Sequence, residues 1–335
     1  MLKDQVLPAL TYAAYAAGWR YAPRILATVE RVGHRARDRS LDVHALGGLI
    51  DGAPIAVRVV AWDAALRAEI LWRVSRHVSG AKVAREGSLR ASALEPSLRG
   101  ADMTFIEVPH FRSAPFVDAG FLVVPKRVAH VERLDRVDPP LVRRMRRCML
   151  ERGMRATLTR DPRALALFAR DLYRPFVLAR HAARARPTPT LVLELILARG
   201  ALIEVREGNA VVGGALIAPD LMDPQSMEIV IIAARDADDE VARTAPVVFA
   251  REEARRRGMR RCNHLGSAPF VRDGIFRRKQ RYGTIACDMS HRHDRIVFHA
   301  AATVAAQSFL DAEPFLVLDR GELVDVRRRW RSEAT

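Results

Sequence analysis

LGSAPFVRDGIFRRKQRYG, residues 265–283, is the stretch that decides the fold. The sequence that leads into it predicts a strand over Arg260–Leu265, and the sequence that follows predicts a helix over Arg272–Arg281. Gly266 comes directly after the strand, and without a side chain it leaves room for a substrate chain to approach the strand end. A strand end, a glycine and a basic helix in this order make a site for a ligand.

The elements before and after this segment alternate in a definite order. A helix opens at Asp161 and Pro162, because proline at the first helical position loses no hydrogen bond. The other predicted elements of this half are a helix at Thr190–Ala198, a hairpin of Ala201–Arg206 and Ala210–Ala218, a strand at Met227–Ala233, a helix at Thr244–Arg257 and a strand at Thr284–Met289. The order is therefore helix, helix, hairpin, strand, helix, strand, helix, strand, and it predicts an α/β (α+β) protein.

The first half has fewer recognisable elements. Strands are predicted at Ala53–Ala61, Met103–Val108 and Phe121–Val124, with a loop over 110–120 between the last two. A basic helix over Leu141–Arg152 ends at Gly153, a residue typical of helix C-termini. This glycine indicates a division between two halves.

Two segments resemble a known family. Residues 276–283, FRRKQRYG, have the pattern aromatic-x-x-Lys-x-x-aromatic-Gly, and residues 113–120, SAPFVDAG, contain Pro-aromatic-x-Asp-x-Gly. Both patterns resemble the Fem-type aminoacyltransferases that build peptidoglycan bridges and their GNAT-like relatives. The element order is similar to that of the GNAT fold.

The resemblance implies two GNAT-like halves, each a mixed sheet flanked by helices. It implies that residues 1–152 form the first half and that residues 300–335 return to complete it, as a hairpin around 319–321. Residues 153–299 then form the second half, which carries the lysine motif.

Lys279 is the first candidate for catalysis. Lysine occurs only at positions 3, 82, 126 and 279, and arginine supplies nearly all the positive charge. A lysine in such a chain indicates that a compact ammonium group is needed there. The resemblance implies that Lys279 lies at the reaction centre and stabilises oxyanion or phosphate charge. The alternative is an ordinary surface lysine.

The resemblance also implies a role for Asp118, which would orient the acceptor amine or take its proton. The alternative is an Asx-turn beside Gly120. The candidate substrate-binding residues are Phe116, Gly266, Ser267, Phe270, Phe276, Arg277 and Tyr282. The aromatic ones line a groove in this interpretation, and are core residues in the alternative. His264 is expected to be a packed core residue rather than a base.

The loop Ala234–Glu240 argues against coenzyme A as donor. It has no glycine and contains Asp236, Asp238, Asp239 and Glu240, which would repel a pyrophosphate group. The Fem-type family takes its aminoacyl group from tRNA. The sequence thus favours aminoacyl-tRNA as co-substrate, followed by an acyl thioester, and requires no cofactor.

The function expected is that of a cytoplasmic acyltransferase that forms an amide with a small-molecule or peptide amine. Its partners would be tRNA or an acidic carrier protein. One alternative is an N-acyltransferase that uses acyl-CoA or an acyl carrier protein. An alternative from another class is a non-catalytic binding protein with a basic docking surface, which would depend on the arginine runs 143–155 and 272–281.

Composition sets wider bounds. A chain of 335 residues is long enough for two domains, and its net charge of +16 suits an acidic partner. An arginine bias of this size more often reflects genome composition than selection for phosphate binding, so the charge alone does not identify nucleic acid as the partner.

Several short features exclude other classes. Cys148, Cys262 and Cys287 form no metal or redox motif, which fits a reducing cytoplasm. The uncharged stretch Gln5–Trp19 is shorter than a bilayer span and is expected to form a buried helix, so no membrane span is predicted. His291 and His293 have no third ligand, so no metal site is predicted.

Overall fold

A computed structural model describes residues 40–90, 93–98, 100–109, 112–181, 185, 187–220, 223–289 and 294–334. These residues form two compact units. Among the described residues, the first unit contains residues 129–265 and 278–285, and the second contains residues 40–128, 266–277 and 286–334. The predicted division near residue 152 lies elsewhere in the chain than this boundary at 128/129.

Fifteen strands are present in the described residues: β1 (Ser40–Ile50), β2 (Ala53–Ala61), β3 (Ser79–Arg90), β4 (Met103–Val108), β5 (Leu122–Pro125), β6 (Val128–Arg133), β7 (Arg155–Thr159), β8 (Ala201–Glu207), β9 (Ala210–Pro219), β10 (Ser226–Ala234), β11 (Arg261–Ser267), β12 (Ile285–Asp288), β13 (Arg295–Ala300), β14 (Leu316–Asp319) and β15 (Glu322–Asp325). The α-helices of the same residues are α1 (Ala64–Ser75), α2 (Ala114–Asp118), α3 (Pro140–Glu151), α4 (Pro162–Phe168), α5 (Arg174–His181), α6 (Thr190–Arg199), α7 (Glu240–Arg256), α8 (Gly274–Gln280), α9 (Val304–Ala312) and α10 (Val326–Ala334). A π-helical stretch, Ala169–Tyr173, joins α4 to α5, and Pro96–Leu98 is a 3₁₀ turn.

The second unit is built on an eight-stranded sheet with the order β15-β14-β5-β13-β4-β2-β1-β3. Strands β2 and β4 are parallel, and the antiparallel pairs include β1–β2 and β4–β13. Its core contains an aromatic cluster in which the rings of Phe105 and Phe298 are 4.7 Å apart and Phe315 packs on both. Burial of such rings contributes much of a core's stabilisation.

The first unit contains most of a seven-stranded sheet with the order β12-β6-β11-β10-β9-β8-β7, in which β12 lies mainly beyond residue 285. Strands β10 and β11 are parallel and are connected by α7, whereas β8, β9 and β10 are antiparallel neighbours. Helix α7 packs closely on β9: a Cβ atom at Gly213 would lie 2.8 Å from the backbone oxygen of Ala242. A side chain at position 213 would therefore push the helix away from the sheet.

The helices that follow the first strand of each parallel pair, α1 after β2 and α7 after β10, begin in the same way. Asp63 caps α1 by accepting hydrogen bonds from the backbone N–H groups of Ala65 and Leu66. Asp239 caps α7 in the same manner, through Val241 and Ala242. Aspartate is a preferred N-cap because its carboxylate satisfies N–H groups that the helix itself cannot.

The predicted fold class is confirmed, because both units contain a mixed sheet flanked by helices. Some elements were wrongly predicted. Helix α7 begins at Glu240 rather than at Thr244, so that Pro246 lies inside the helix, and the predicted loop over 110–120 contains α2. No helix among the described residues is long and apolar enough to cross a membrane. The stretch Gln5–Trp19 lies outside the described residues.

Candidate functional site

The two parallel strands of the first unit separate towards their C-terminal ends. Their ladder pairs Ser226–Glu228 of β10 with Arg261–Asn263 of β11, and no further pairs between them are present in the described residues. Strand β10 continues to Ala234, with a register shift against β9 between Ile229 and Ile231. Backbone groups that no longer pair within a sheet are available to an extended ligand.

The residue at which β11 departs from its neighbour has an unusual backbone. Leu265 has φ of 57°, the left-handed region that a residue with a side chain avoids at a cost of roughly 1–2 kcal/mol. The backbone N–H of Leu265 donates to Oδ1 of Asn263 at 2.9 Å, and Nδ2 of Asn263 donates to Asp220 at 2.9 Å. Backbone strain held by such a network is often found at functional sites.

Lys279 reaches this strained residue from α8. Its Nζ donates a hydrogen bond to the backbone oxygen of Leu265 at 2.9 Å, and the side chain is half-buried. The ammonium group is therefore fixed at the end of β11 and is not a freely moving surface charge. Because it is only partly buried, it keeps access to a bound ligand.

His264, one residue earlier in β11, is held by a buried ion pair. Its Nε2 lies 3.2 Å from Oε2 of Glu132, and Arg251 donates to both oxygens of the same carboxylate. Burial lowers the pKa of His264, an effect that Glu132 opposes and the Lys279 charge reinforces. A neutral imidazole that donates its Nε2–H to Glu132 carries a lone pair on Nδ1. A nitrogen with such a lone pair can accept a proton, as a general base does.

The carboxylates beneath His264 are themselves fixed by arginines. Arg251 is fully buried, and it also donates to Asp138, which Arg255 and Arg146 contact as well. These arginines hold the pKa of Asp138 well below its ordinary value, against the opposing effect of burial. The His264 side chain thus contacts a carboxylate that belongs to a network of arginine–carboxylate ion pairs.

Tyr282 and Gly283, the last two residues of the lysine motif, pack beside His264 and Pro139. Tyr282 is buried, its ring centroid lies 5.3 Å from that of His264, and its hydroxyl donates to Oγ1 of Thr244 at 3.3 Å. Gly283 follows with φ of 77°, and a Cβ atom there would lie 2.8 Å from Pro139. The glycine of the aromatic-x-x-Lys-x-x-aromatic-Gly pattern is therefore required by backbone conformation and by packing.

The N-terminus of α7 has no open anion site. The Asp239 carboxylate accepts from the N–H groups of Val241 at 2.9 Å and of Ala242 at 3.0 Å, and Arg152 lies 2.8 Å from the same carboxylate. Asp239 thus uses the donors that a phosphate ligand would otherwise take from a helix N-terminus.

Most of the arginines on α3 and just after it are paired. Ion pairs join Arg144 to Glu240, Arg146 to Asp138 and Glu252, and Arg152 to Glu207 and Asp239. Arg143 and Arg147 are exposed and form no ion pair with the residues that the structure describes.

The predicted site residues are divided between the two units. Lys279 and Tyr282 belong to the first unit and lie near His264. The other predicted residues belong to the second unit: Asp118, Phe116, Gly266, Ser267, Phe270, Phe276 and Arg277. Asp118 is the exposed last residue of α2, and Arg277 is exposed on α8.

The three predicted phenylalanines are buried in cores of the second unit. Phe116 packs edge-on against Phe121, Phe270 packs against Phe315, and Phe276 lies in a small apolar cluster. Each ring is therefore part of a hydrophobic core, which was the alternative to the prediction that these rings line a substrate groove.

Gly266 and Ser267 are enclosed as well. A Cβ atom at position 266 would lie 3.2 Å from Nε of Arg127 and 3.3 Å from the sulfur of Met289, so protein side chains already fill the space beside this glycine. The Ser267 hydroxyl donates to the backbone oxygen of Ala268 at 2.9 Å. Both residues belong to β11, so the prediction that Gly266 follows the end of the strand is wrong.

Four polar residues of the site were not predicted from the sequence: Glu132, Asp220, Arg251 and Asn263. Glu132 lies in a short strand and Arg251 in a helix rich in charged residues, where neither differs from a surface residue. Glu132 and Arg251 are 119 positions apart in the sequence, so only the folded chain brings them together as a buried pair. His291 and His293 lie outside the described residues, among which no cluster able to hold a metal ion is present.

Comparison with solved structures gives weak likenesses. The chain is similar to L-PGS from Bacillus licheniformis, with a TM-score of 0.42 and 10% identity over 81% of this chain and 85% of that one. It is similar to FemX, with a TM-score of 0.41 and 11% identity over 80% and 85%. It is also similar to the C-terminal domain of a putative lysylphosphatidylglycerol synthetase from Agrobacterium fabrum, with a TM-score of 0.40 and 12% identity over 81% and 85%.

No protein-family model matches the chain, and no curated protein matches it.

Proposed function

We propose that the chain is an acyltransferase that forms an amide, with its site in the first unit at the end of β11. The observation that carries the proposal is that two side chains meet the end of β11 at consecutive residues: Lys279 contacts Leu265, and His264 is the residue before it. The Lys279 ammonium is fixed on the backbone oxygen of Leu265, and the His264 imidazole next to it is held neutral. A fixed cation and a neutral base are the two groups that acyl transfer to an amine requires.

In this proposal the acceptor amine attacks the carbonyl carbon of the activated donor. The amine loses its proton to Nδ1 of His264, while Glu132 accepts the N–H on the other side of the ring and stabilises the imidazolium that forms. Lys279 stabilises the negative charge that develops on the carbonyl oxygen. The intermediate then collapses: the bond between the carbonyl carbon and the oxygen or sulfur of the donor breaks, His264 returns its proton to that leaving atom, and the amide is released.

The diverging strands β10 and β11 supply a binding mode for an extended donor. Beyond Glu228 the edge of β10 that faces β11 has no ladder partner in the described part of the chain. A linear acyl chain or peptide could hydrogen-bond along this edge as an added strand would. This arrangement directs the donor carbonyl towards the strand end, where Lys279 lies.

We favour aminoacyl-tRNA over acyl-CoA as the donor. Asp239 uses the N–H groups at the start of α7, so a pyrophosphate would have to displace a carboxylate that Arg152 also holds. The resemblance of residues 276–283 to Fem-type enzymes points to the same donor. An acyl carrier protein remains the second donor class, because it also presents a reactive acyl group without the need for a pyrophosphate site.

The experiment is a transfer assay with a matched lysine control. The chain is incubated with tRNA charged with labelled amino acids and with a fraction of small amines, and amide products are detected by mass spectrometry. We expect labelled amides with the unmodified protein and with Lys82→Ala, an exposed lysine on β3. Loss of product only in Lys279→Ala supports the proposal, and equal product in both variants contradicts it. Tight stoichiometric binding of acetyl-CoA that survives salt, measured by calorimetry, would contradict the choice of donor.

A further inference from the structure

Leu265 is held in its left-handed conformation from both sides. Its backbone N–H donates to Oδ1 of Asn263 at 2.9 Å, and its backbone oxygen accepts from Nζ of Lys279 at 2.9 Å. A leucine leaves a φ of 57° for an extended conformation unless such contacts hold it there. Because φ sets the position of the carbonyl group relative to the preceding N–H, the Asn263 contact helps to fix where the Leu265 oxygen lies.

The orientation of the Asn263 amide is in turn set by Asp220. A carboxylate only accepts hydrogen bonds, so Oδ2 of Asp220 requires the NH₂ end of the amide, and Nδ2 lies 2.9 Å from it. A flipped amide would bring two acceptors together at Asp220 and two donors together at Leu265. Both side chains are buried, where an unmade hydrogen bond costs most, and this favours the one orientation that presents Oδ1 to Leu265.

Asp220 and Asn263 are both attached to the regular part of the sheet. Asp220 follows the last residue of β9, and its backbone N–H donates to the backbone oxygen of Ser226 in β10 at 2.8 Å. Asn263 forms the last pair of the described ladder between β11 and β10, with Glu228. A series of hydrogen bonds, here called the relay, therefore runs from the sheet to the ammonium group. Its members, all in the first unit, are Asp220, Asn263, Leu265 and Lys279.

We propose that Asp220 and Asn263 are positioning residues for the Lys279 ammonium. Neither has to touch a substrate. They hold the Leu265 carbonyl where it accepts from Lys279, and this contact fixes the ammonium beside β11. The inference rests on the proposed function, in which that ammonium stabilises the developing oxyanion. It goes further, because the rate of the chemical step then depends on two buried residues that do not contact Lys279 themselves.

A substitution at position 265 separates this role from a purely structural one. Glycine adopts a positive φ at no steric cost, so Leu265→Gly should keep its carbonyl towards Lys279 without help from Asn263. Leu265→Ala loses nearly the same side-chain atoms but retains the steric cost of the left-handed conformation. The two variants therefore distinguish the backbone conformation from the loss of the leucine side chain.

The position of the ammonium can be measured without any substrate. Lysine labelled with ¹³C at Cε gives four side-chain NMR signals, from positions 3, 82, 126 and 279, and Lys279→Ala identifies the relevant one. Lys82 is exposed and supplies the reference for an unconstrained ammonium. Lys126 donates to Asp63 and Glu107 in the second unit and supplies an internal reference that the relay variants do not touch.

We expect the Lys279 signal to move towards that of Lys82 in Asn263→Ala and in Asp220→Ala, while the Lys126 signal stays in place. Asp220→Asn keeps an acceptor for the amide of Asn263, so it should leave the Lys279 signal unchanged.

Two further comparisons complete the measurement. In the Asn263→Ala background, Leu265→Gly should restore the Lys279 signal and Leu265→Ala should not. Asn209→Ala is the matched control and should have no effect, because the other asparagine of the chain, Asn209, is exposed in the turn between β8 and β9.

The transfer assay adds a kinetic readout. Asn263→Ala should lower kcat by about tenfold with little change in KM, since about tenfold fewer molecules then hold Leu265 in the left-handed conformation. A Lys279 signal that is the same in the unmodified chain, Asn263→Ala and Asp220→Ala would overturn the inference, and so would failure of Leu265→Gly to restore it. Absence of transfer by the unmodified chain, with a Lys279 signal that still depends on Asn263, would instead contradict the proposed function.

Discussion

The ammonium nitrogen of Lys279 lies 2.9 Å from the backbone oxygen of Leu265, the residue whose left-handed conformation ends the regular part of β11. The lysine thus stabilises a strained turn and is held in place by it. A side chain fixed in this way gives up little conformational freedom when it stabilises a developing charge.

The first prediction concerns the charge at position 279. Lys279→Ala should lower turnover by about 10²–10³-fold, the scale for loss of one preorganised donor to an oxyanion. Lys279→Arg should restore little activity, because the wide guanidinium cannot occupy the same point beside Leu265. Steady-state kinetics with the substrate pair from the transfer assay measures this, with Lys82→Ala as control. Full activity of Lys279→Ala would show that the ammonium has no role in the reaction.

The second prediction concerns the buried ion pair under His264. Arg251→Met should lower the free energy of unfolding by about 3–5 kcal/mol, because it leaves the Glu132 carboxylate buried without its partner. Chemical denaturation measures the loss, and Arg256→Met, on the exposed face of the same helix, should leave the midpoint unchanged. A similar midpoint for both variants would mean that the buried pair does not stabilise the unit.

The third prediction follows from the lowered pKa of His264. Burial is the main reason why the pKa of His264 is lowered in the folded chain. The folded chain therefore binds a proton less readily than the unfolded chain, in which a histidine has a pKa of about 6.5. Stability should therefore be full at neutral pH and fall as the pH drops below this value. His264→Gln should make the free energy of unfolding less dependent on pH. His44, whose pKa burial also lowers, should account for a residual slope. An unchanged slope in His264→Gln would contradict the assignment.

The fourth prediction concerns the cap of α7. Asp239→Ala should lower the free energy of unfolding by about 1 kcal/mol, because two N–H groups of the helix lose their acceptor. Asp239→Asn keeps the cap and removes only the pairing with Arg152, so its loss should be smaller. Thermal unfolding of the two variants side by side distinguishes these contributions. Equal losses would show that the ion pair, and not the cap, is the main interaction.

Elements with a clear pattern could be predicted from the sequence, and others could not. The strand Ala53–Ala61 was predicted with its observed bounds, because an apolar run followed an Asp-Gly turn. Strand β3 was not predicted, since nearly all its side chains are exposed and it has no apolar alternation. It forms because β1 provides a partner, and this depends on tertiary context that a local pattern does not contain.

The same distinction holds for the candidate site. Lys279 was identifiable because lysine is rare in this chain and because its motif is local. His264 was expected to be a core residue, and it is buried, but its contact with Glu132 is what gives it the environment of a base. No spacing rule connects positions 132, 251 and 264, which meet only when the sheet and α7 are assembled.

The pairing of the α3 arginines has a consequence for how the chain responds to salt. Arg144, Arg146 and Arg152 each already have carboxylate partners within the first unit, so they release no counterions when a polyanion binds. A plot of log affinity for RNA against log salt has a slope of about −0.7 for each phosphate neutralised on a single strand. These three arginines should therefore add little to the slope, whereas the exposed Arg143 and Arg147 on the same helix, which form no ion pair with described residues, should each add about 0.7 if they contact the RNA.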